Sequence, residues 1–367
     1  MDFKEFARQP QKLASGQKSC SGCGYPIIVR MAMSAIDEPF VVCQGTGCIS
    51  VTTTTWPYTS WTMPTIHNAF PNLASTASGV EAAIKVQNKK GKLKKNIKVV
   101  AIGGDGGTYD IGLQALSGAI ERKHDMLYIC YDNQAYMNTG GQRSSATPYG
   151  AATATTPSGT LHHGKELFRK DLTRIIAAHD ISYVAQASLC DFADFTRKVK
   201  RAMEVKGFAF INVLSPCVLF WKINTCDANK VSQLAVDTCF WPLYEVDHGK
   251  WILNYKPEKK LSIKEFIKIQ GRFTELMKPE NKNILDGLQE RVDRKWKELL
   301  YMCEKDKIKP AEKKVAKEAK KEVPKKEVKK PAKKKEVKKK PKPIIKSPKT
   351  KSRLAKLKDK LKGKKRR

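Results

Sequence analysis

Residues 97–142 decide how this chain folds. Ile97 to Ile102 (IKVVAI) runs into Gly103-Gly104-Asp105-Gly106-Gly107, and Met126 to Cys130 (MLYIC) runs into Tyr131-Asp132-Asn133-Gln134-Ala135-Tyr136-Met137-Asn138-Thr139-Gly140-Gly141-Gln142. Two apolar runs of strand length bracket Tyr109 to His124, whose pattern predicts a helix, so the unit reads strand, turn, helix, strand. Glycines between a strand and a helix let the backbone approach a ligand closely, and a helix N-terminus behind them favours an anionic group such as a phosphate. Asp105 follows the first strand, and Asp132 and Asn133 follow the second, so Asp105 and Asn133 can converge in the crevice above a parallel sheet. A carboxylate, an amide oxygen and a nearby backbone carbonyl suit Mg²⁺, which takes oxygen ligands and is shared with substrate phosphates. A tight turn with a capping Asn is the other reading of the same spacing.

Outward from this unit the alternation continues. Phe40 to Cys43 reads as a strand, Leu167 to His179 as a helix, Tyr183 to Ala187 as a strand, Phe192 to Lys206 as a helix, and Phe208 to Leu214 as the last strand. The expected fold is α/β, an open, mostly parallel sheet with helices on both faces and its crevice at the strand C-termini. Leu261 to Leu276 and Ile284 to Met302 read as charged amphipathic helices. The expected organisation is an α/β domain over 1–255, a helical extension over 256–303 and a basic tail over 304–367.

Ten cysteines occur in a chain that opens on a polar stretch of mixed charge, Met1 to Lys18, which favours metal or redox use over disulfides and the cytoplasm as compartment. Cys20 and Cys23 form a C-x-x-C in a glycine-containing turn, Cys48 stands in Gly-Thr-Gly-Cys, and Cys217 follows the last expected strand in Ser-Pro-Cys. Four thiolates in such turns fit tetrahedral Zn²⁺ or a [4Fe-4S] cluster, since both accept four Cys ligands, although only one close pair exists where structural zinc sites usually bring two. The other six cysteines read as ordinary thiols.

Trp56, Tyr58 and Trp61 stand in a Thr-rich loop that fits a lid or cofactor wall, followed by a glycine-led helix at Ser78-Gly79; His67 in between has no partner named by spacing. Ser144 to Gly164 is a long polar loop, and long loops in compact domains are often functional. From Glu304 onward 31 Lys and Arg face 8 Asp and Glu, so +23 of the formal +34 lies there. Lys-Lys-Glu-Val recurs at 320, 325 and 334, and with almost no large apolar residues this stretch should be disordered. Such a tail can touch nucleic acid, an anionic surface or an acidic protein, more weakly as salt rises. No apolar run approaches the eighteen or so residues of a membrane span.

The segment GGDGGTYDIGLQAL with DNQAYMNTGGQRSSATP resembles the β subunit of pyruvate:ferredoxin oxidoreductase, in the thiamine diphosphate-binding family, and the resemblance covers roughly residues 12 to 250. It implies thiamine diphosphate beside Gly104, Asp105, Gly106, Gly107, Asn133 and Ala135, with Mg²⁺ held by the side chains of Asp105 and Asn133 and the Ala135 carbonyl. It places Asn138 beside the reactive thiazolium, and it assigns Cys20, Cys23, Cys48 and Cys217 to a proximal [4Fe-4S] cluster. The family often carries Gly-His before its first cluster cysteine, whereas Gly16 is followed here by Gln17. The implied activity is oxidative decarboxylation of pyruvate to acetyl-CoA with coenzyme A and ferredoxin, performed together with α, γ and δ subunits. The alternatives are a sister enzyme acting on 2-oxoisovalerate or 2-oxoglutarate, and a non-enzymatic Cys₄-zinc protein that binds nucleic acid through its tail.

Overall fold

The computed structural model describes residues 3–306, apart from Lys94, Asn96 and Thr160; the expected tail therefore lies outside the described residues beyond its first positions. The strands are β1 (Phe40–Gly45), β2 (Thr65–Asn68), β3 (Lys98–Gly104), β4 (Met126–Asp132), β5 (Tyr183–Ser188), β6 (Ala209–Leu214), β7 (Tyr244–Asp247) and β8 (Lys250–Leu253). They form one sheet in the order β2-β1-β3-β4-β6-β5-β7-β8. The first six run parallel, and β7 and β8 add an antiparallel edge.

The helices α1 (Phe3–Arg8), α2 (Gly24–Ser34), α3 (Cys48–Thr53), α4 (Leu73–Lys89), α5 (Leu113–Glu121), α6 (Leu172–Ala177), α7 (Phe192–Glu204), α8 (Val218–Trp221), α9 (Ala228–Asp237), α10 (Ile263–Ile267) and α11 (Lys282–Lys305) fill the connections. The central strands read as unbroken apolar runs because both faces are buried. Along β3, Val99 and Ala101 enter the core beneath α4 and α5, while Val100 and Ile102 enter the opposite core with α2 and α7; β4 divides Tyr128 and Cys130 from Ile129 and Tyr131 in the same way. That period-two alternation is the pleat of a strand with two cores to feed. The helical extension is no separate body: Leu288, Val292, Trp296, Leu299 and Cys303 form one stripe of α11 and join the first core together with Phe266 of α10.

Several expected boundaries change for physical reasons. The helix expected from Tyr109 begins instead as a π-helical turn, Gly106–Ile111, in which Gly112 N–H reaches the Gly107 carbonyl, and α5 follows from Leu113. The helix expected from Leu167 starts at Leu172, because Arg169 and Lys170 turn inward to Asp132 and to the Tyr109 carbonyl, and Asp171 caps the helix through Arg174 N–H. The helix expected over 261–276 breaks after α10, where Arg272 is drawn fully into the core. The helix after the aromatic loop is led by Leu73 behind a turn at Phe70–Asn72, not by Gly79. Strand β6 is not the last, since the β7–β8 hairpin follows. Among the described residues no helix is long and apolar enough to cross a membrane.

Candidate active site

Four neighbouring strands, β1, β3, β4 and β6, end at the same edge, and each hands the chain to a short functional segment. They deliver Thr46-Gly47-Cys48, Asp105-Gly106-Gly107, Asn133-Gln134-Ala135 and Ser215-Pro216-Cys217 respectively.

Asp105 is fully buried and accepts hydrogen bonds from Asn133 N–H (3.2 Å, Oδ1) and Ser144 Oγ (2.5 Å, Oδ2). Burial, then the neighbouring Asp132 carboxylate, pushes its carboxyl well above the usual range. Asp132 is held by Tyr109 Oη (2.6 Å), Arg169 Nη2 (2.7 Å) and Gln134 N–H (3.0 Å). The Asn133 side-chain oxygen lies 2.9 Å from Asp105 Oδ1 and 2.9 Å from the Ala135 carbonyl oxygen. Three oxygens so close need either donors or a cation among them. Turning the amide over supplies N–H groups to both neighbours, and a cation would satisfy all three oxygens in place. Octahedral Mg²⁺ with ligands at about 2.1 Å puts adjacent oxygens about 3.0 Å apart, so the donor set and its spacing fit that ion.

Beside these oxygens lies a cavity of about 280 Å³, lined by Gly104, Asp105, Gly106, Asn133 and Ala135 on one side and by Gly47, Cys48, Asn138 and Thr139 on another, with Phe70, Tyr131, Tyr136 and Met137 as its apolar walls. Gly106 must be glycine, because a Cβ there would sit 2.6 Å from the Tyr136 ring. A smaller cavity, about 110 Å³, lies under α11 against Tyr149, Phe168 and Trp296, and no expected site residue lines it.

Cys20, Cys23, Cys48 and Cys217 are mutual neighbours. Cys23 is pushed up to about 12 by burial, then by Cys217, Cys48 and Cys20, against a backbone N–H from Tyr25; Cys48 rises to about 11 for the same first reason, with Cys217 next. Burial also raises Cys217, opposed by the backbone N–H groups of Phe220 and Leu219, and at Cys48 the nearby Asn138 side chain acts against burial. Such N–H donors stabilise thiolates and cluster sulfur. Among the described residues no three His, Cys, Asp or Glu side chains gather tightly enough for a single metal ion.

Every expected site residue thus reaches this edge, and Cys48 with Asn138 joins the sulfur quartet to the cavity beside Asp105. The expected lid does not: Trp56 and Tyr58 point into solvent, 91% and 80% exposed, Trp61 is buried against Thr53, and Phe70 forms the cavity wall in their place. His67 is exposed and hydrogen-bonds Thr46 Oγ1 (3.0 Å). Four further residues matter. Ser144 completes Asp105, Tyr131 separates the acidic turn from α3, Trp221 donates from Nε1 to the Asn133 carbonyl (2.9 Å), and Arg272 holds Gln134 (2.6 Å). The long polar loop signalled Ser144; nothing in spacing signalled Trp221 or Arg272.

The C-terminal TPP binding domain of thiamine pyrophosphate enzymes matches residues 45–213. The pyruvate synthase subunit PorB of Thermotoga maritima is 47% identical over 84% of this chain and 97% of its own length. The corresponding subunit of Methanocaldococcus jannaschii is 46% identical over 81% and 99%. The ketoisovalerate oxidoreductase subunit VorB of Pyrococcus furiosus is 40% identical over 79% and 93%. With the acidic turn, the Asn133 loop and the cysteine quartet at one sheet edge, and relatives matched over nearly their whole length, the chain belongs to the family of pyruvate synthase PorB subunits, the thiamine pyrophosphate-binding β subunits of the 2-oxoacid:ferredoxin oxidoreductases.

Proposed function

We propose that this chain is the subunit of a pyruvate:ferredoxin oxidoreductase that holds Mg²⁺–thiamine diphosphate and the proximal [4Fe-4S] cluster, and that it forms acetyl-CoA from pyruvate and coenzyme A only with its α, γ and δ partners. The observation that carries this reading is the single cavity bordered both by Asp105, Asn133 and Ala135 and by Cys48 with Asn138. When bound, thiamine diphosphate supplies the carbon nucleophile and electron sink that decarboxylation of a 2-oxo acid requires. Asp105, Asn133 and the Ala135 carbonyl would hold its Mg²⁺, and the backbone at Gly106 and Gly107 would face the diphosphate. Phe70, Tyr131 and Met137 give the cavity apolar walls, against which a bound cofactor would displace water and so strengthen the polar contacts beside it. Asn138 lines this cavity together with Cys48, and its side chain acts against the burial that raises the Cys48 thiol.

The cysteines favour a polynuclear cluster over zinc. Structural zinc sites usually bring two close cysteine pairs, whereas here only Cys20 and Cys23 form one and Cys48 and Cys217 come singly. Pyruvate is favoured over 2-oxoisovalerate by the higher identity to the pyruvate synthase subunits.

Anaerobic co-purification of the chain with its partners, followed by iron, sulfide and thiamine assays and turnover on pyruvate, 2-oxoisovalerate and 2-oxoglutarate, tests the proposal. Iron and sulfide in equal amounts, bound thiamine and fastest turnover of pyruvate are expected. Zinc without iron or sulfide would overturn it, and so would full turnover by the chain alone.

A further inference from the structure

Arg272 is 1% exposed, and its guanidinium touches only neutral groups. It lies 4.0 Å from the Trp221 ring centre, 4.9 Å from that of Phe273 and 5.2 Å from that of Phe220. Nε donates to Gln270 Oε1 (2.9 Å) and Nη2 to Gln134 Oε1 (2.6 Å), while Nη1 has no partner among the described residues. The other deeply placed arginine, Arg169, contrasts with it by pairing directly with Asp132 at 2.7 Å. A buried cation held by aromatic faces and amide oxygens alone is costly unless an anion stands nearby.

The placement of Arg272 shows where that anion belongs. Trp221, the ring beneath it, is the last residue of α8, which begins directly after Cys217, and Trp221 N–H donates to the Cys217 carbonyl (2.9 Å). Gln134, on its other side, sits between Asn133 and Ala135 with φ +70°. Burial acts first and pulls the Arg272 guanidinium well below its ordinary value; Cys217 and then Asp132 favour its charge, Arg169 opposes it, and Asp105 favours it, and a guanidinium keeps its proton through such opposition. Arg272 therefore lies between the loop that offers oxygens to a cation and the helix that presents a cluster sulfur.

We propose that Arg272 is a positioning residue whose fixed charge balances the iron-sulfur cluster bound through Cys217 and raises that cluster's reduction potential, while its Nη2 bond keeps the Gln134 turn in register. The inference rests on the reading of the four cysteines as [4Fe-4S] ligands. Reduction adds one electron to the cluster and neither forms nor breaks a bond, so the site gains one negative charge; a buried positive neighbour favours that state. In the test dithionite supplies the electron.

The experiment compares the anaerobically purified complex carrying the wild-type chain, Arg272→Met and Arg272→Lys. It measures iron and sulfide content, retained thiamine diphosphate, and the midpoint potential of the proximal cluster in a dithionite titration followed by electron paramagnetic resonance. Arg272→Met should lower the potential by a tenfold or greater change in the reduction equilibrium, about 59 mV for one electron, with iron and sulfide unchanged. Arg272→Lys keeps the charge but not the forked donors, so its potential should stay near wild type while it retains less thiamine diphosphate. Equal lowering in both variants would show that the lost hydrogen bonds, not the charge, set the potential, and would overturn the proposal; an unchanged potential in Arg272→Met would do the same. Should Arg272→Met fail to assemble, Arg272→Lys decides alone, by a potential that stays or falls. A wild-type chain with zinc in place of iron and sulfide overturns the reading of the quartet itself, whereas an iron-replete chain indifferent to charge at 272 overturns only this inference.

Discussion

Ser144 illustrates how much one hydroxyl carries at a buried carboxyl group. Its Oγ gives Asp105 Oδ2 a 2.5 Å hydrogen bond, and Ala146 N–H in turn donates to Ser144 Oγ (3.1 Å). Ser144→Ala leaves a buried acceptor unsatisfied, a loss of roughly 1–3 kcal/mol, so urea denaturation should show a lower midpoint and titration with Mg²⁺–thiamine diphosphate a weaker affinity. At the cysteine turn the constraint is steric. Gly22 has φ +74°, and a Cβ there would meet the Thr225 carbonyl oxygen at 2.1 Å. Gly22→Ala should therefore lower iron and sulfide per chain while circular dichroism stays native, because only the Cys20–Cys23 turn must move. Single residues of this kind were half legible in the sequence. Asp105, Asn133 and the four cysteines stand beside glycine or at strand ends, where chemistry leaves a pattern; Arg272 reaches the site from residues far along the chain, and no local pattern encodes that.

Among the elements, the antiparallel edge is tied down by Glu245 of β7. Tyr183 Oη, Arg197 Nη1 (3.0 Å) and Asn254 Nδ2 (3.1 Å) all donate to its carboxylate. Burial pushes this carboxyl up, but those bonds outweigh burial and hold it below its ordinary value. A depressed folded value means the stabilisation is complete above the unfolded value of about 4.3 and is lost as pH falls through the folded one. Thermal unfolding of the wild type should therefore fall away steeply in that acid range, and Glu245→Gln should be less stable near neutrality with a flatter acid limb; parallel curves would contradict this. The strands of the parallel core were readable because burial on both faces makes them apolar throughout. The hairpin escaped notice because Tyr244–Asp247 and Lys250–Leu253 are short and carry charges, although His248 (φ +48°) and Gly249 (φ +79°) form the two-residue, positive-φ turn that hairpins favour. Helix starts failed at Leu167 and beyond Ile267, where Arg169, Lys170 and Arg272 point inward and their side-chain bonds override periodicity.

For the molecule as a whole, the end of α11 sets where the folded part can be cut. Cys303 is 3% exposed, and Asp306 Oδ2 accepts Trp251 N–H (2.7 Å), which pins the helix to β8. Truncation after Asp306 should leave thermal stability, metal content and turnover intact in the assembled enzyme, whereas truncation after Met302 should lower the unfolding temperature. Loss of turnover from the first cut would mean that the basic stretch serves catalysis or assembly. The open, mostly parallel character of the sheet was legible from alternation alone, while its strand order and the short edge strands β2, β7 and β8 were not; a crevice at the strand C-termini followed from it, because parallel strands lay those ends along one rim.

On the function proposed above, the Trp221 Nε1 bond to the Asn133 carbonyl makes the helix after Cys217 a shared prop for the thiamine diphosphate site and the cluster site. Filling either site would then steady a backbone that the other needs, so maturation would become mutually reinforcing. In a cell short of iron, newly made chains would be expected to retain the vitamin poorly as well, and a mineral shortage would then read out as a coenzyme deficiency.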